Sequence, residues 1–354
     1  MAALAAEFGL AHSRGLTTVT ISAAPSDPRV SVLIPAFNAA PFIEATITSV
    51  LQQTFTDFEV LVIDDGSNDD TAAAVQRATA RDSRVRLMVQ DNVGLSATRN
   101  RGVAASRGAL IAFLDHDDVW HPDKLSLQVA LMDARPGVGV VSCYSALIDR
   151  HHRCLGWRFG GDANGNVYHE MLEWDIVSGG SVALVRRDAL DAVGPFDDTL
   201  RIREDWDMWI RLARRELYAT VPRVLVGYTR AGENSSRDYA RMTEEGTRVL
   251  DKVLHGDPGF LPRYRFCQAR DYLSTASFCA VDGNVTLAWT YLWRSVTCSP
   301  APVLSSPRRL AFVGVLALRT LLPKALFTPL FSALNRLTFA LEPGRPFPPS
   351  VVTR

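Results

Sequence analysis

Two short apolar runs, each ending in acids, constrain this chain more than any other feature. Leu110-Ile111-Ala112-Phe113-Leu114 leads into Asp115-His116-Asp117-Asp118, and Glu59-Val60-Leu61-Val62-Ile63 leads into Asp64-Asp65-Gly66-Ser67. A continuous apolar run of this length, bounded by turn residues, fits a strand buried on both faces, the kind that builds parallel sheets. In open α/β sheets, ligands lie beyond the carboxyl ends of the strands, where strand order reverses. Acids at two such ends therefore mark a site as well as a fold. Carboxylates this close repel and raise one another's pKa; a hard divalent ion bound by oxygen relieves that repulsion and can carry a diphosphate. The alternative for Asp117 or Asp118 is a helix cap, because Pro122, Leu125, Leu127 and Met132 announce a helix just downstream. A cap needs one carboxylate, and this segment supplies three. Asp-Gly-Ser alone is ordinary turn chemistry, so the weight rests on the pair of acidic ends.

Around these runs the pattern alternates strand and helix. Residues 32–35, 58–63, 85–89, 110–114 and 138–142 read as strands. Asn38 reads as the cap of a helix with Ile43, Ile47, Val50 and Leu51 on one face, and further helices are expected over about 71–80, 96–106 and 123–133. Repeated strand-helix-strand units predict an α/β fold, with a mostly parallel central sheet flanked by helices and right-handed crossovers. After Cys143, Gly156, Gly160, Gly161, Gly165, Gly179 and Gly180 punctuate a polar and aromatic stretch; long loops in a compact domain are usually functional. Residues 181–185 and 225–228 read as strands. Residues 206–215 read as a helix with Trp209, Leu212 and Ala213 inward, and from about Tyr239 the chain reads as helical.

At 354 residues the chain exceeds the size at which one core usually stops growing, so a large domain with an appendage is expected. Lys plus Arg and Asp plus Glu both number 38, and without a basic excess or stripe, nucleic acid is not expected as a partner. Cys143, Cys154, Cys267, Cys279 and Cys298 are scattered. They read as reduced, mostly core thiols in a cytosolic setting, not as a zinc site or a disulfide framework. Residues 1–29 are rich in Ala, Ser and Thr, carry Glu7 early and never reach a long apolar run, so they read as a disordered leader and not a signal peptide.

Five motifs together resemble, in order, the family 2 glycosyltransferases of GT-A fold. They are Val32-Leu33-Ile34-Pro35-Ala36-Phe37-Asn38, Ile63-Asp64-Asp65-Gly66-Ser67, Asn92-Val93-Gly94-Leu95-Ser96-Ala97-Thr98-Arg99-Asn100, Asp115-His116-Asp117-Asp118 and Glu204-Asp205-Trp206-Asp207. The likeness covers about residues 30–240, implying a GT-A catalytic domain over 30–238 and a helical C-terminal region over 239–354. It also implies a nucleotide-sugar donor, most simply UDP-linked, and a glycan or lipid-linked acceptor. Pro35, Ala36, Phe37, Asn38 and Asp65 should line the nucleobase pocket, with the Phe37 ring beside the base or, alternatively, packed in the core. Asp65 would accept from a uracil-like N–H, and Asp64 caps or braces the turn. Asp115 should contact ribose, and Asp117, with Asp115, should hold Mg²⁺ or Mn²⁺; His116 is left structural. Arg99 would reach the base, the diphosphate or an acid of the metal turn, unless it is a surface charge pair. Asp205 is implied as the general base of an inverting displacement, with Glu204 as second choice; a carboxylate there also suits a helix terminus.

Gly180, in Gly179-Gly180-Ser181, allows close backbone approach to an acceptor or donor sugar. One motif departs from the family: Tyr228-Thr229-Arg230-Ala231 stands where relatives often carry Tyr-Arg-x-His. Ala231 cannot bind metal, so if that His holds metal or diphosphate in relatives, Arg230 or Asn234 substitutes or the metal is held more loosely. Residues 309–341 are strongly apolar, with only positive charges and with Pro323 and Pro329 interrupting them. Their charge-free runs fall short of the roughly 20 residues that span a bilayer. Two readings remain: an interfacial helix on an anionic membrane surface, placing the enzyme peripherally on the inner face of the membrane, or a packed helical subdomain. A nucleotidyltransferase would want a Gly-rich, basic phosphate loop after the first strand, and residues 35–40 are neither. A non-catalytic glycan-binding relative would not need Asp65, Asp115, Asp117 and Asp205 together.

Overall fold

The computed structural model describes residues 27–229, 238–321 and 347. Strands β1 (Val30–Ala36) and β2 (Phe58–Asp65) are buried at every position, the outcome that a continuous apolar run requires. With β3 (Val85–Gln90) and β4 (Leu110–Phe113) they form a parallel block in the order β3-β2-β1-β4. The crossovers carry α1 (Ile43–Leu51), α2 (Thr71–Thr79) and α3 (Leu95–Ala105). Helix α1 buries Ile43, Ile47 and Val50, the face their spacing predicts. Asn38 does not cap it: the helix starts at Ile43 behind Phe42, with no side-chain cap. Asn38 instead takes a left-handed φ of 49°, which asparagine tolerates better than most residues, and turns its amide toward the neighbouring loop.

Beyond β4 the order is β5 (Val119–Trp120), α4 (Lys124–Ala134), β6 (Val138–Ile148), β7 (Cys154–Phe159), α5 (Tyr168–Glu173), β8 (Leu184–Arg186), α6 (Arg187–Val193), α7 (Glu204–Ala213) and β9 (Leu217–Thr229). The expected mostly parallel sheet is corrected here to a mixed one. β8 runs antiparallel between β4 and β6, β9 lies parallel to β6, and β5 and β7 add antiparallel pairs. The glycine-punctuated stretch delivers β8 as a return strand, which a reading of strand-helix alternation cannot foresee. β6 runs past Ser142, the expected end of the strand; Ser142 is buried, and its hydroxyl and that of Thr220 share a bond of 3.0 Å across to β9. Helix α4 begins at Lys124 behind Asp123, so neither Asp117 nor Asp118 is its cap.

From Tyr239 the described chain is helical: α8 (Tyr239–Gly256), a 3₁₀ turn at Pro258–Phe260, α9 (Leu261–Val281), α10 (Val285–Cys298), α11 (Ala301–Leu304) and α12 (Pro307–Leu321). Val249, Leu250, Phe260 and Cys267 join the core of the sheet half. A second cluster around Leu273, Ala276, Tyr291, Leu292 and Leu316 holds α9, α10 and α12 together. No helix of the described residues is long and apolar enough to cross a membrane. Cys143, Cys154, Cys267 and Cys279 are buried, as core thiols should be. Most of the leader, residues 322–341 of the apolar segment, and Arg230, Ala231 and Asn234 lie outside the described residues.

Candidate active site

Strand order reverses at β1, which has β2 on one side and β4 on the other. The carboxyl ends of these three strands present Phe37 and Asn38, Asp64 and Asp65, and the Asp115 to Asp118 turn. Pro35 and Ala36 are buried in β1, opposite Ile63 and Asp64. Phe37 is 42% exposed, so it is not a core ring. Asn38 N donates to Ser67 Oγ at 2.9 Å and its Oδ1 accepts from Asn68 N at 3.0 Å. Asp64 Oδ1 accepts from Ser67 N at 2.9 Å, bracing its own turn. The first two strand ends are thus pinned together by their own polar groups.

Asp65 is 5% exposed. Its Oδ1 accepts from Gln90 Nε2 at 2.7 Å and Val93 N at 2.9 Å, and its Oδ2 from Gly94 N at 2.9 Å. In this structure the carboxylate therefore holds the loop that opens α3. That brace has a consequence one turn later, because Arg99 projects from α3 into the centre of the site.

Arg99 is 2% exposed, which excludes a surface charge pair. Its Nη1 donates to Glu204 Oε1 at 2.6 Å and its Nη2 to Asp115 Oδ1 at 2.8 Å. One guanidinium thereby joins the acid turn after β4 to the first turn of α7. Gly180 packs against the same group: a Cβ there would come within 3.0 Å of Arg99 Nη2. Ser181 was not singled out from sequence, yet its Oγ accepts from Asp115 N at 3.0 Å and its carbonyl accepts from Trp120 Nε1 at 3.0 Å. Asp118 is fully buried and accepts from Thr229 N at 2.9 Å, tying the acid turn to the end of β9. The three clustered carboxylates thus divide into a structural one, Asp118, and two at the cleft, Asp115 and Asp117.

Burial, and then Asp205 beside it, push the Glu204 carboxyl up to about 7, with Arg99 opposing; the 2.6 Å bond makes Glu204 the ionised partner of Arg99. Asp205 is half-buried, and the bond recorded for its carboxylate is from Trp206 N at 2.7 Å. Burial first, then the charge of Asp175, push it up to about 7. Asp175 lies in the glycine-rich stretch, where its carboxylate accepts from the N–H groups of Val177, Ser178 and Gly179. Nothing in the composition of that stretch singled it out.

Burial and Asp115 also raise Asp117, to which no described side chain donates. Among the described residues, no three His, Cys, Asp or Glu side chains form a metal cage. Asp117 and the Asp115 oxygen not bonded to Arg99 are oxygen donors of the kind Mg²⁺ takes when substrate phosphates supply its other ligands.

A family model described as glycosyl transferase family 2 matches residues 31–194. A Bacillus subtilis relative, the putative teichuronic acid biosynthesis glycosyltransferase TuaG, is 30% identical over 189 residues, covering 53% of this chain and 73% of its own length. The chain belongs to glycosyl transferase family 2. The chain also resembles the Escherichia coli WfgD, a UDP-Glc:alpha-D-GlcNAc-diphosphoundecaprenol beta-1,3-glucosyltransferase. The two are 40% identical over 107 residues, 30% of this chain and 42% of that protein. E. coli chondroitin synthase is 28% identical across 59% of this chain, which spans about 30% of that protein's length. Among solved structures, the Pyrobaculum calidifontis mannosyltransferase PcManGT, in complex with GDP-Man and Mn²⁺, superposes with a TM-score of 0.57 at 20% identity, covering 90% of this chain and 89% of its own. S. aureus TarS 1-349 with UDP-GlcNAc gives 0.55 at 18% identity, covering 78% and 82%. At such identities the likeness is one of fold, and the fold is GT-A.

Proposed function

We propose that the protein is a metal-dependent, inverting glycosyltransferase that moves a sugar from a UDP-linked donor to an acceptor hydroxyl in cell-surface polysaccharide or glycolipid assembly. The observation that carries this reading is the Arg99 bridge. It ties Asp115, in the acid turn after β4, to Glu204 at the start of the helix that also carries Asp205, so donor and base subsites share one frame. Phe37 and Asn38 stand open at the end of β1 to receive the base. Asp117 and Asp115 would hold Mg²⁺ or Mn²⁺, and the chemistry such an ion supplies is neutralisation of the leaving diphosphate. Asp205 takes the proton of the acceptor hydroxyl. That oxygen then bonds to the anomeric carbon as the bond from that carbon to the phosphate oxygen breaks, and the nucleoside diphosphate leaves from the opposite face.

The relatives support the donor and acceptor classes. WfgD is named for UDP-Glc and a diphosphoundecaprenol-linked sugar, and the superposed structures contain UDP-GlcNAc and GDP-Man with Mn²⁺. A panel of UDP- and GDP-sugars, scored for Mn²⁺-dependent release of nucleotide, tests the proposal. Turnover unchanged in EDTA would remove the metal, and a product with the donor's own anomeric configuration by NMR would remove the single displacement.

A further inference from the structure

In the helix that carries Glu204 and Asp205, the Asp205 carboxylate itself accepts from the first-turn Trp206 N. The N-cap residue of that helix, Arg203, makes no side-chain cap bond, and a helix start leaves backbone N–H groups without intrahelical partners. The strap just before the helix is held by another element. Glu245, on α8 and 4% exposed, directs Oε2 at three successive N–H groups, those of Arg201 at 2.9 Å, Ile202 at 2.8 Å and Arg203 at 3.4 Å. Asp271, on α9 and equally buried, pairs with the Arg203 guanidinium, which also donates from Nε to Met242 O at 3.3 Å and lies 5.3 Å over the Trp206 ring. Gly246 leaves room for this pair: a Cβ there would meet Asp271 Oδ2 at 2.4 Å. From the other side, Ser96 on α3 donates to Leu200 O at 3.0 Å, one turn before Arg99. The strap 200–203 is therefore held between α3 and the C-terminal helices, directly ahead of the two catalytic-site acids.

From this geometry we infer that Glu245 and Asp271 are positioning residues for the transfer step: together they fix the strap that leads into α7 and so set where Asp205 stands. The inference rests on Asp205 as the base. It makes the C-terminal helices a wall of the active centre, because the two buried carboxylates they carry among the described residues, Glu245 and Asp271, both bond to the strap. A displacement of the base by an ångström through a remote change costs about 10²-fold in rate, whereas donor binding depends on β1, β2 and β4 and is untouched.

The experiment uses the full chain with Mn²⁺ and whichever of UDP-glucose, UDP-GlcNAc and GDP-mannose turns over fastest. Glu245→Ala should lower kcat by about 10²-fold while UDP affinity by calorimetry stays within about threefold. Glu245→Gln keeps an acceptor oxygen on the N–H groups and should recover at least about a tenth of the parent kcat. The inference falls if Glu245→Ala keeps kcat within about threefold of the parent, if UDP affinity falls in step with kcat, or if glutamine rescues nothing. Should the alanine protein not fold, the same split of kcat from UDP affinity is read on Asp271→Asn, which removes the charge facing Arg203 at nearly constant volume. Asp205→Asn run alongside separates the two failures. If it keeps its turnover, the base reading fails; if it is inactive and Glu245→Ala is not, only the positioning role fails.

Discussion

Single residues set the chemistry here through what surrounds them. The Asp205 carboxyl is pushed up to about 7 by burial and then by Asp175, and as a base it must be ionised. kcat/KM should therefore rise with pH and level off above an inflection near 7, and a flat profile across pH 5 to 9 would rule Asp205 out. The same shift has a stability cost of definite sign. A carboxyl raised in the folded state binds its proton more tightly there, so its contribution to stability is lost as pH rises through about 7. Asp205→Asn should consequently melt higher than the parent at pH 8 and level with it near pH 4, while cutting transfer by about 10²-fold or more. Asp117→Ala should abolish turnover and the Mn²⁺-dependent part of UDP binding; equal UDP affinity with Mn²⁺ and with EDTA in the parent would contradict the metal assignment.

At the scale of elements, the site depends on turns that only a few residues can make. Gly66 follows the β2 acids with a φ of +76°, and a Cβ there would lie 2.8 Å from the backbone nitrogen of Asn92. Backbone cannot move aside as a flexible side chain can. Gly66→Ala should cost about 1–3 kcal/mol and lower Tm by several degrees in a thermal melt. It should also loosen the loop that Asp65 braces, and with it the start of α3. Were the melting point unchanged, the turn would be more pliable than its contacts imply. The β2 turn, the α3 opening and Arg99 form one line of support, so damage at the turn should appear at the acids as lost activity.

At the scale of the molecule, charge is segregated. Residues 261–354 hold 11 Lys and Arg against 3 Asp and Glu, a formal +8, which the first 260 residues balance with −8. We propose that this basic end meets an anionic membrane surface, with Arg265 and Arg294 among its exposed cations. Each basic residue near such a surface contributes about 1 kcal/mol. Arg265→Glu with Arg294→Glu should then weaken flotation with phosphatidylglycerol vesicles by about tenfold or more, increasingly so as salt falls, with Tm unchanged. Failure of the parent to float with anionic vesicles would end the membrane reading. Shortening the chain before residue 307 is the poorer test, since it removes α12, whose Leu316 is 1% exposed in the second core cluster, and should lower Tm whatever the membrane does.

Local chemistry made much of this legible without a structure. Apolar runs buried on both faces gave β1, β2 and β4 their places, and periodicity gave α1 its inward face. Acids at strand ends could belong only at the mouth of an α/β sheet, and Phe37, Asp65, Arg99, Asp115 and Asp205 all lie around it. Tertiary structure decided what long-range pairing controls. The return strand β8 made the sheet mixed, Arg99 went to two acids 16 and 105 residues away, and Asp118 was turned inward to β9. Glu245 and Asp271 carry no motif, because their partners are a strap some 42 to 68 residues earlier in the chain. A residue's type shows what it can bond to, but only the folded chain determines which of several equally suitable partners stands within 3 Å.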